Sequence, residues 1–132
     1  MKLESTKIGV IGLGYVGLPL ALEFSYKFPV IGFDINKNRI ADLDKGLDST
    51  NEVDKKSLKE SKNIIFSSEI NSLMNCNFFV ITVPTPINKN KRPDLGPLLK
   101  ASHLVAPLLK TGDVVVYEST VYPGATEEDC IP

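Results

Sequence analysis

The sequence predicts an α/β fold: a parallel sheet with strand order 3-2-1-4-5 and helices on both faces. Three observations predict it. Short apolar runs recur at residues 7–12, 30–34, 64–67, 78–83 and 114–117, and near-continuous apolar segments of that length suit strands buried on both sides. Helical patterns or polar stretches separate the runs, as βαβ units require. The first two runs are joined through Gly12-x-Gly14-x-x-Gly17, and the second ends in Asp34. That combination is the mark of a Rossmann-type sheet with a dinucleotide site. Right-handed crossovers then give the stated order. The complete fold has a sixth strand, which is expected to be missing from this chain.

The glycine loop sets the rest. Gly12 lets the backbone turn sharply out of the first strand. Gly14 removes a Cβ that would hold a pyrophosphate off, and Gly17 lets the new helix pack against the strands. An anion there would rest on the helix N-terminus, where open N–H groups and the macrodipole favour negative charge. Asp34 follows Gly12 by about the 20 residues expected of the acid that accepts from the adenosine ribose hydroxyls. A carboxylate at that position repels a 2′-phosphate, so the expected cofactor is NAD and not NADP.

The remaining elements follow in order. A helix over residues 15–27 is expected to turn Val16, Leu20, Phe24 and Phe28 inward, with Pro19 tolerated near its first turn. Residues 36–45 read as a short helix with Ile40 and Leu43 inward and Gly46 as its stop. Arg39 on that helix either turns back over the adenosine or stays a solvated charge. The polar stretch 47–63 holds at most a short helix around 52–60. Ser67 or Ser68 is expected to cap a helix reaching Met74. Pro84-Thr85-Pro86 after the fourth strand fixes an extended loop that presents Thr85 at the carboxyl edge of the sheet, where open α/β folds bind ligands. Lys89, Lys91 and Arg92 read as solvated charges of a mobile loop in preference to contacts with an anionic ligand. Asp94 is placed as the N-cap of a helix through Leu95, Leu98, Leu99, Ser102 and Val105, which Pro107 ends or kinks. The fifth strand delivers Glu118-Ser119-Thr120-Val121-Tyr122-Pro123-Gly124 to the same edge, and residues 125–130 begin another helix.

Composition narrows the function classes. The 132 residues make one domain, long enough to bury about two thirds of its unfolded surface. The net charge of −1 gives no electrostatic footprint for nucleic acid or an anionic membrane. No apolar run approaches a membrane span and the N-terminus lacks a signal-peptide core, so a cytoplasmic protein is expected. Cys76 and Cys130 form no Cys-x-x-Cys and His103 is the sole histidine, which speaks against a metal site and against histidine-based triads. Cys76 reads as inert packing and His103 as a partly exposed surface residue.

Four motifs in fixed order carry a more specific resemblance: Gly12-Leu13-Gly14-Tyr15-Val16-Gly17-Leu18-Pro19, Gly32-Phe33-Asp34, Val83-Pro84-Thr85-Pro86 and Glu118-Ser119-Thr120-Val121-Tyr122-Pro123-Gly124. Across essentially the whole chain the sequence resembles the N-terminal NAD-binding domain of the UDP-glucose/GDP-mannose dehydrogenase family. Within it, the UDP-N-acetylglucosamine or UDP-N-acetylgalactosamine 6-dehydrogenases of surface-polysaccharide and capsule synthesis are the most similar branch. The resemblance implies oxidation of the C6 alcohol of a UDP-sugar to a carboxylate with two NAD, through an aldehyde and a cysteine-bound thioester. Carried onto this chain, it implies that Gly12, Leu13, Gly14, Tyr15, Val16 and Gly17 hold the pyrophosphate and that Asp34 and Arg39 hold the adenosine ribose. Val83, Pro84, Thr85 and Pro86 would lie along the cofactor. Ser119 and Thr120 would sit near the nicotinamide, where the family's threonine helps to order a water. The family's nucleophilic cysteine comes from later segments, so Cys76 and Cys130 are not promoted to that role. The chain is therefore expected to be residues 1–132 of a longer enzyme, inactive alone and homodimeric when whole. A free-standing NAD-binding regulatory module and the opening domain of another NAD enzyme, such as a hydroxyacid or hydroxyacyl-CoA dehydrogenase, are the alternatives.

Overall fold

The computed structural model describes residues 5–48, 56, 58, 63–83 and 95–118. In chain order these form β1 (Ile8–Ile11), α1 (Gly17–Ser25), β2 (Val30–Phe33), α2 (Lys37–Asp44), β3 (Ile64–Ser67), β4 (Phe78–Ile81), α3 (Gly96–Val105) and β5 (Val114–Tyr117). The strands pair in the order β3-β2-β1-β4-β5 and every pairing is parallel. The expected sheet order is the observed one.

Alternation along the strands divides the core in two. Ile8 and Val10 of β1, Val30 of β2 and Val80 of β4 face α1 and α2, where Leu18, Ala21, Leu22, Ile40 and Leu43 close over them together with Leu58. Ile11, Phe33, Phe79 and Ile81 face the other way, onto Leu73, Cys76 and the Leu98, Ala101 and Val105 face of α3. Successive strand residues point to opposite faces, so both sets are buried and the strands carry no polar stripe.

The register decides what the sheet presents at its carboxyl edge. Phe33, Ile11, Ile81 and Tyr117 lie side by side as the last residues of β2, β1, β4 and β5, with Ser67 of β3 at the end of the row. The next residues, Asp34, Gly12, Thr82 and Glu118, extend the ladder by one bond each. Asp34 N–H donates to Ser67, Gly12 N–H to Phe33, Thr82 N–H to Ile11 and Glu118 N–H to Ile81, at 2.8–3.1 Å. An acid, a glycine, a hydroxyl and a second acid therefore leave the sheet on one line.

Three helical expectations change in detail. The buried face of α1 is Leu18, Ala21, Leu22 and Ser25, at i, i+3, i+4 and i+7. Leu20, Phe24 and Phe28 pack at its rim, and Val16 is exposed because the helix begins only at Gly17. The segment after β3 forms one 3-10 turn, Ile70–Leu73, and not a helix to Met74. The Ser67 hydroxyl accepts from Glu69 N–H at 3.0 Å as that turn is entered, and Met74 N–H closes on Asn71. For α3, Asp94 lies outside the described residues, and the capping position is Leu95 without a side-chain cap. Pro97 occupies its first turn, where a missing N–H leaves no bond unmade. As expected, the helix stops ahead of Pro107 and passes into a 3-10 turn, Ala106–Leu108. The Ser102 hydroxyl meets the Tyr117 hydroxyl at 3.0 Å, tying α3 to β5. Of the expected helix around 52–60, Lys56 and Leu58 have helical backbone, and residues 125–130 lie outside the described residues.

This division predicts a contrast. Phe79 is fully buried between the central strands and α3, whereas Ile65 on edge strand β3 is 63% exposed. Phe79→Ala is expected to lower unfolding free energy by about 3–5 kcal/mol and Ile65→Ala by roughly 0.5 kcal/mol or less. Urea denaturation of both variants checks the pair, and equal losses would refute the assignment of the core.

Candidate functional site

The loop between β1 and α1 is held by side chains from three other segments. Gly12 has φ of 102°, a left-handed conformation that glycine adopts without strain. Its carbonyl accepts from the Thr82 hydroxyl at 2.6 Å. Leu13 is gripped on both sides of its backbone: its N–H donates to Asp34 Oδ2 at 2.9 Å, and its carbonyl accepts from Arg39 Nε at 2.8 Å. The second oxygen of Asp34 accepts from Asn36 N–H at 2.9 Å. Asn36 in turn caps α2, accepting from the N–H groups of Asn38 and Arg39.

The three glycines have separable reasons. A Cβ on Gly17 would overlap the Gly12 carbonyl oxygen and the Thr82 hydroxyl, so the start of α1 reaches the strand ends only without a side chain. A Cβ on Gly12 would press on Val83 and the Thr82 carbonyl at 3.1–3.2 Å. A Cβ on Gly14 would meet nothing within 4 Å among the described residues. No atom among the described residues requires glycine at position 14, so the space in front of it is open to a ligand. The amides of Gly14, Tyr15 and Val16 donate to no group among the described residues. They precede α1, whose capping position Val16 supplies no side-chain acceptor. Open amides before a helix and an uncrowded glycine make a cradle for an anion.

Asp34 has capacity beyond the two bonds its side chain makes among the described residues. An ionised carboxylate offers about four lone-pair sites, so each oxygen retains room for one ribose hydroxyl. Arg39 is not the solvated charge that was its alternative reading. It is 8% exposed, and Arg39 Nη1 lies 2.7 Å from Asp48 Oδ1. The helix that carries it ends as expected at Gly46, whose φ is 80°. Gly46 N–H bonds to Leu43 and Leu47 N–H to Asp42, a Schellman ending.

The family model for the NAD binding domain of the UDP-glucose/GDP-mannose dehydrogenases matches residues 6–131. The chain belongs to this family. A UDP-N-acetyl-D-glucosamine 6-dehydrogenase of Pseudomonas aeruginosa is 58% identical over 98% of the chain. The protein CapL of Staphylococcus aureus is 54% identical over 95%. Among solved structures, a UDP-D-ManNAc dehydrogenase of Pyrococcus horikoshii superposes with a TM-score of 0.87 at 35% identity, covering 92% of this chain and 30% of that one. The chain spans about 31% of the length of the Pseudomonas relative. Membership in the UDP-glucose/GDP-mannose dehydrogenase family makes this an NAD-binding domain and sets aside the hydroxyacid and hydroxyacyl-CoA dehydrogenase alternatives.

Of the residues that the resemblance assigned, the structure brings Gly12, Leu13, Gly14, Tyr15, Val16, Gly17, Asp34, Arg39 and Val83 to one end of the sheet. Pro84, Thr85, Pro86, Ser119 and Thr120 lie outside the described residues. Three contributors were not singled out from the sequence. Thr82 and Asp48 act through contacts that no local pattern announces, while Asn36 had a visible signal as a capping residue before a short helix.

Cys76 is buried, and burial pushes its thiol up to about 11 against the opposing pull of Lys7 and Lys110. It lines a cavity of about 350 Å³ with Lys7, Pro29, Val30 and Asn63 at the amino end of the strands, opposite Gly12 and Asp34. Its sulfur is thus far from the cradle as well as protonated. Cys130 lies outside the described residues, and His103 is exposed.

Two predictions follow from these contacts. Gly17→Ala is expected to destabilise the fold by roughly 3–5 kcal/mol, whereas Gly14→Ala leaves the melting temperature nearly unchanged and weakens NAD binding at least about tenfold. Paired melts and NAD titrations separate the two glycines, and a Gly14→Ala chain that binds normally would refute the cradle. For Cys76, the folded thiol titrates above its ordinary value of 9.0. Its contribution to stability is therefore complete below about pH 9 and is lost as pH rises towards 11. Urea melts between pH 8 and 11 should show that decline, and Cys76→Ala should remove this part of it.

Proposed function

We propose that the chain is the N-terminal cofactor half, residues 1–132, of a longer nucleotide-sugar 6-dehydrogenase. The whole enzyme would oxidise the C6 alcohol of a UDP-(N-acetyl)hexosamine to the uronate for surface-polysaccharide synthesis. The observation that carries this reading is the 58% identity to the Pseudomonas UDP-N-acetyl-D-glucosamine 6-dehydrogenase, backed by 55% to a Salmonella typhi enzyme of the same name.

The residues fit the cofactor. The pyrophosphate would be held by the amides of Gly14, Tyr15 and Val16, and the adenosine ribose by Asp34 with Arg39 behind it. Val83, Pro84, Thr85 and Pro86 would line the path to the nicotinamide, with Ser119 and Thr120 beside it and Thr120 ordering a water. Bound NAD supplies a hydride acceptor for each of two oxidations. Alcohol to carboxylate removes two hydrides from C6 and adds one water oxygen, so two NADH and three protons are released per sugar. The domain's own residues bind and orient; the nucleophilic cysteine and most of the sugar site would come from segments beyond this chain. No helix among the described residues is long and apolar enough to cross a membrane. A cytoplasmic homodimer is the form proposed for the whole protein, with no role for nucleic acid or membrane.

Calorimetry tests the domain and stoichiometry tests the enzyme. The isolated chain should bind NAD without oxidising UDP-N-acetylglucosamine, and Asp34→Ala should raise the dissociation constant at least about tenfold. The complete gene product should yield two NADH per UDP-sugar consumed. A yield of one, or no turnover on any UDP-hexosamine, would sink the proposal, and a gene ending at Pro132 would favour the free-standing module.

A further inference from the structure

An acid and a base converge on the Leu13 backbone. Asp34 Oδ2 accepts from its N–H and Arg39 Nε donates to its carbonyl. Asp34, against which the reading above sets the adenosine ribose, and the Arg39 guanidinium thus bond the same residue. A guanidinium in that position is the group that pairs bidentately with a phosphate, and a single acid at Asp34 would have to oppose it. The fold supplies a second. The Schellman ending of α2 sends the chain from Gly46 through Leu47 back along the helix, so that Asp48 reaches Arg39 nine positions earlier and holds Nη1 at 2.7 Å.

We propose that Asp48 is a specificity-determining residue for the cofactor: by holding and neutralising Arg39, it denies that guanidinium to the 2′-phosphate of NADP. Discrimination then rests on two acids. Asp34 repels the extra phosphate directly, and Asp48 acts through Arg39 as a positioning residue. The proposal rests on the NAD reading of the site and adds the second acid to it.

The test titrates NAD and NADP into the chain by calorimetry, with a thermal melt of each variant. Wild type should bind NAD; if it does not, the site reading itself fails. Asp34→Asn alone is expected to raise NADP affinity by no more than roughly fivefold, the effect of removing one solvated like charge. Adding Asp48→Asn should raise it by about a further tenfold or more. Arg39→Met in that background should cancel the second gain, and Asp48→Glu in place of Asp48→Asn should prevent it. Wild-type NAD binding with no gain from Asp48→Asn, or a gain that survives Arg39→Met, would overturn the proposal. Removing one partner of a buried pair can prevent folding. In that event adenosine 2′,5′-bisphosphate should restore the folded state of the double variant at millimolar concentration where adenosine 5′-monophosphate does not. Equal effects of the two nucleotides would overturn the proposal as well.

Discussion

The Leu13 backbone, clamped between Asp34 and Arg39, is the constraint on which the rest of the site depends. It joins the end of β1 to the end of β2 and to the first turn of α2 through two hydrogen bonds to charged groups. Such bonds are worth about 1.5–3 kcal/mol each. The neighbouring Gly12 is fixed by β2 through Phe33 and by β4 through Thr82. Two consecutive residues thus receive bonds from three other segments, and the direction in which α1 leaves the sheet follows from them.

That direction would be impossible with ordinary side chains. The helix starts against the carbonyl of Gly12 and the hydroxyl of Thr82, closer than any Cβ at Gly17 permits. Close approach brings Leu18, Ala21 and Leu22 onto Ile8, Val10 and Val30, so the packing of a whole face of the sheet is coupled to the loop. Binding geometry and core packing share one set of contacts. The loop thus carries exposed Tyr15 and Val16 on its shoulders while the residues beneath them are bonded to the sheet.

The parts legible in the sequence were those fixed by local rules. Strand positions follow from apolar runs, the turn from the glycine spacing, and the stop of α2 from Gly46, because each depends on a few adjacent residues. The sheet order follows from chirality once the elements are placed. What escaped was set over distance. The Thr82 hydroxyl finds Gly12 across 70 positions, and nothing in the run around Thr82 distinguishes that hydroxyl from a strand-end threonine in a solvated loop. For Arg39 the sequence favours a site-facing side chain but leaves a solvated charge open, because the choice is made by Asp48 from beyond the helix. The inward face of α1 was misplaced by beginning the helix two residues early, which rotated the pattern onto Val16. The segment after β3 had helical order, yet it must return to the sheet by Phe78, and a single 3-10 turn takes it there.

The distribution of satisfied and unsatisfied groups carries the last step. Gly12 and Leu13 have both backbone groups engaged within the protein, while the amides of Gly14, Tyr15 and Val16 find no acceptor among the described residues. A loop whose conformation is already fixed by the first set loses little entropy when the second set is occupied. The boundary between the sets falls at the glycine whose absent side chain would meet no atom of the described residues. On one side of Gly14 the backbone is held by the protein, and on the other its amides stay open among the described residues. The conformation of the loop up to Gly14 is therefore set in folding, through Asp34, Arg39 and Thr82.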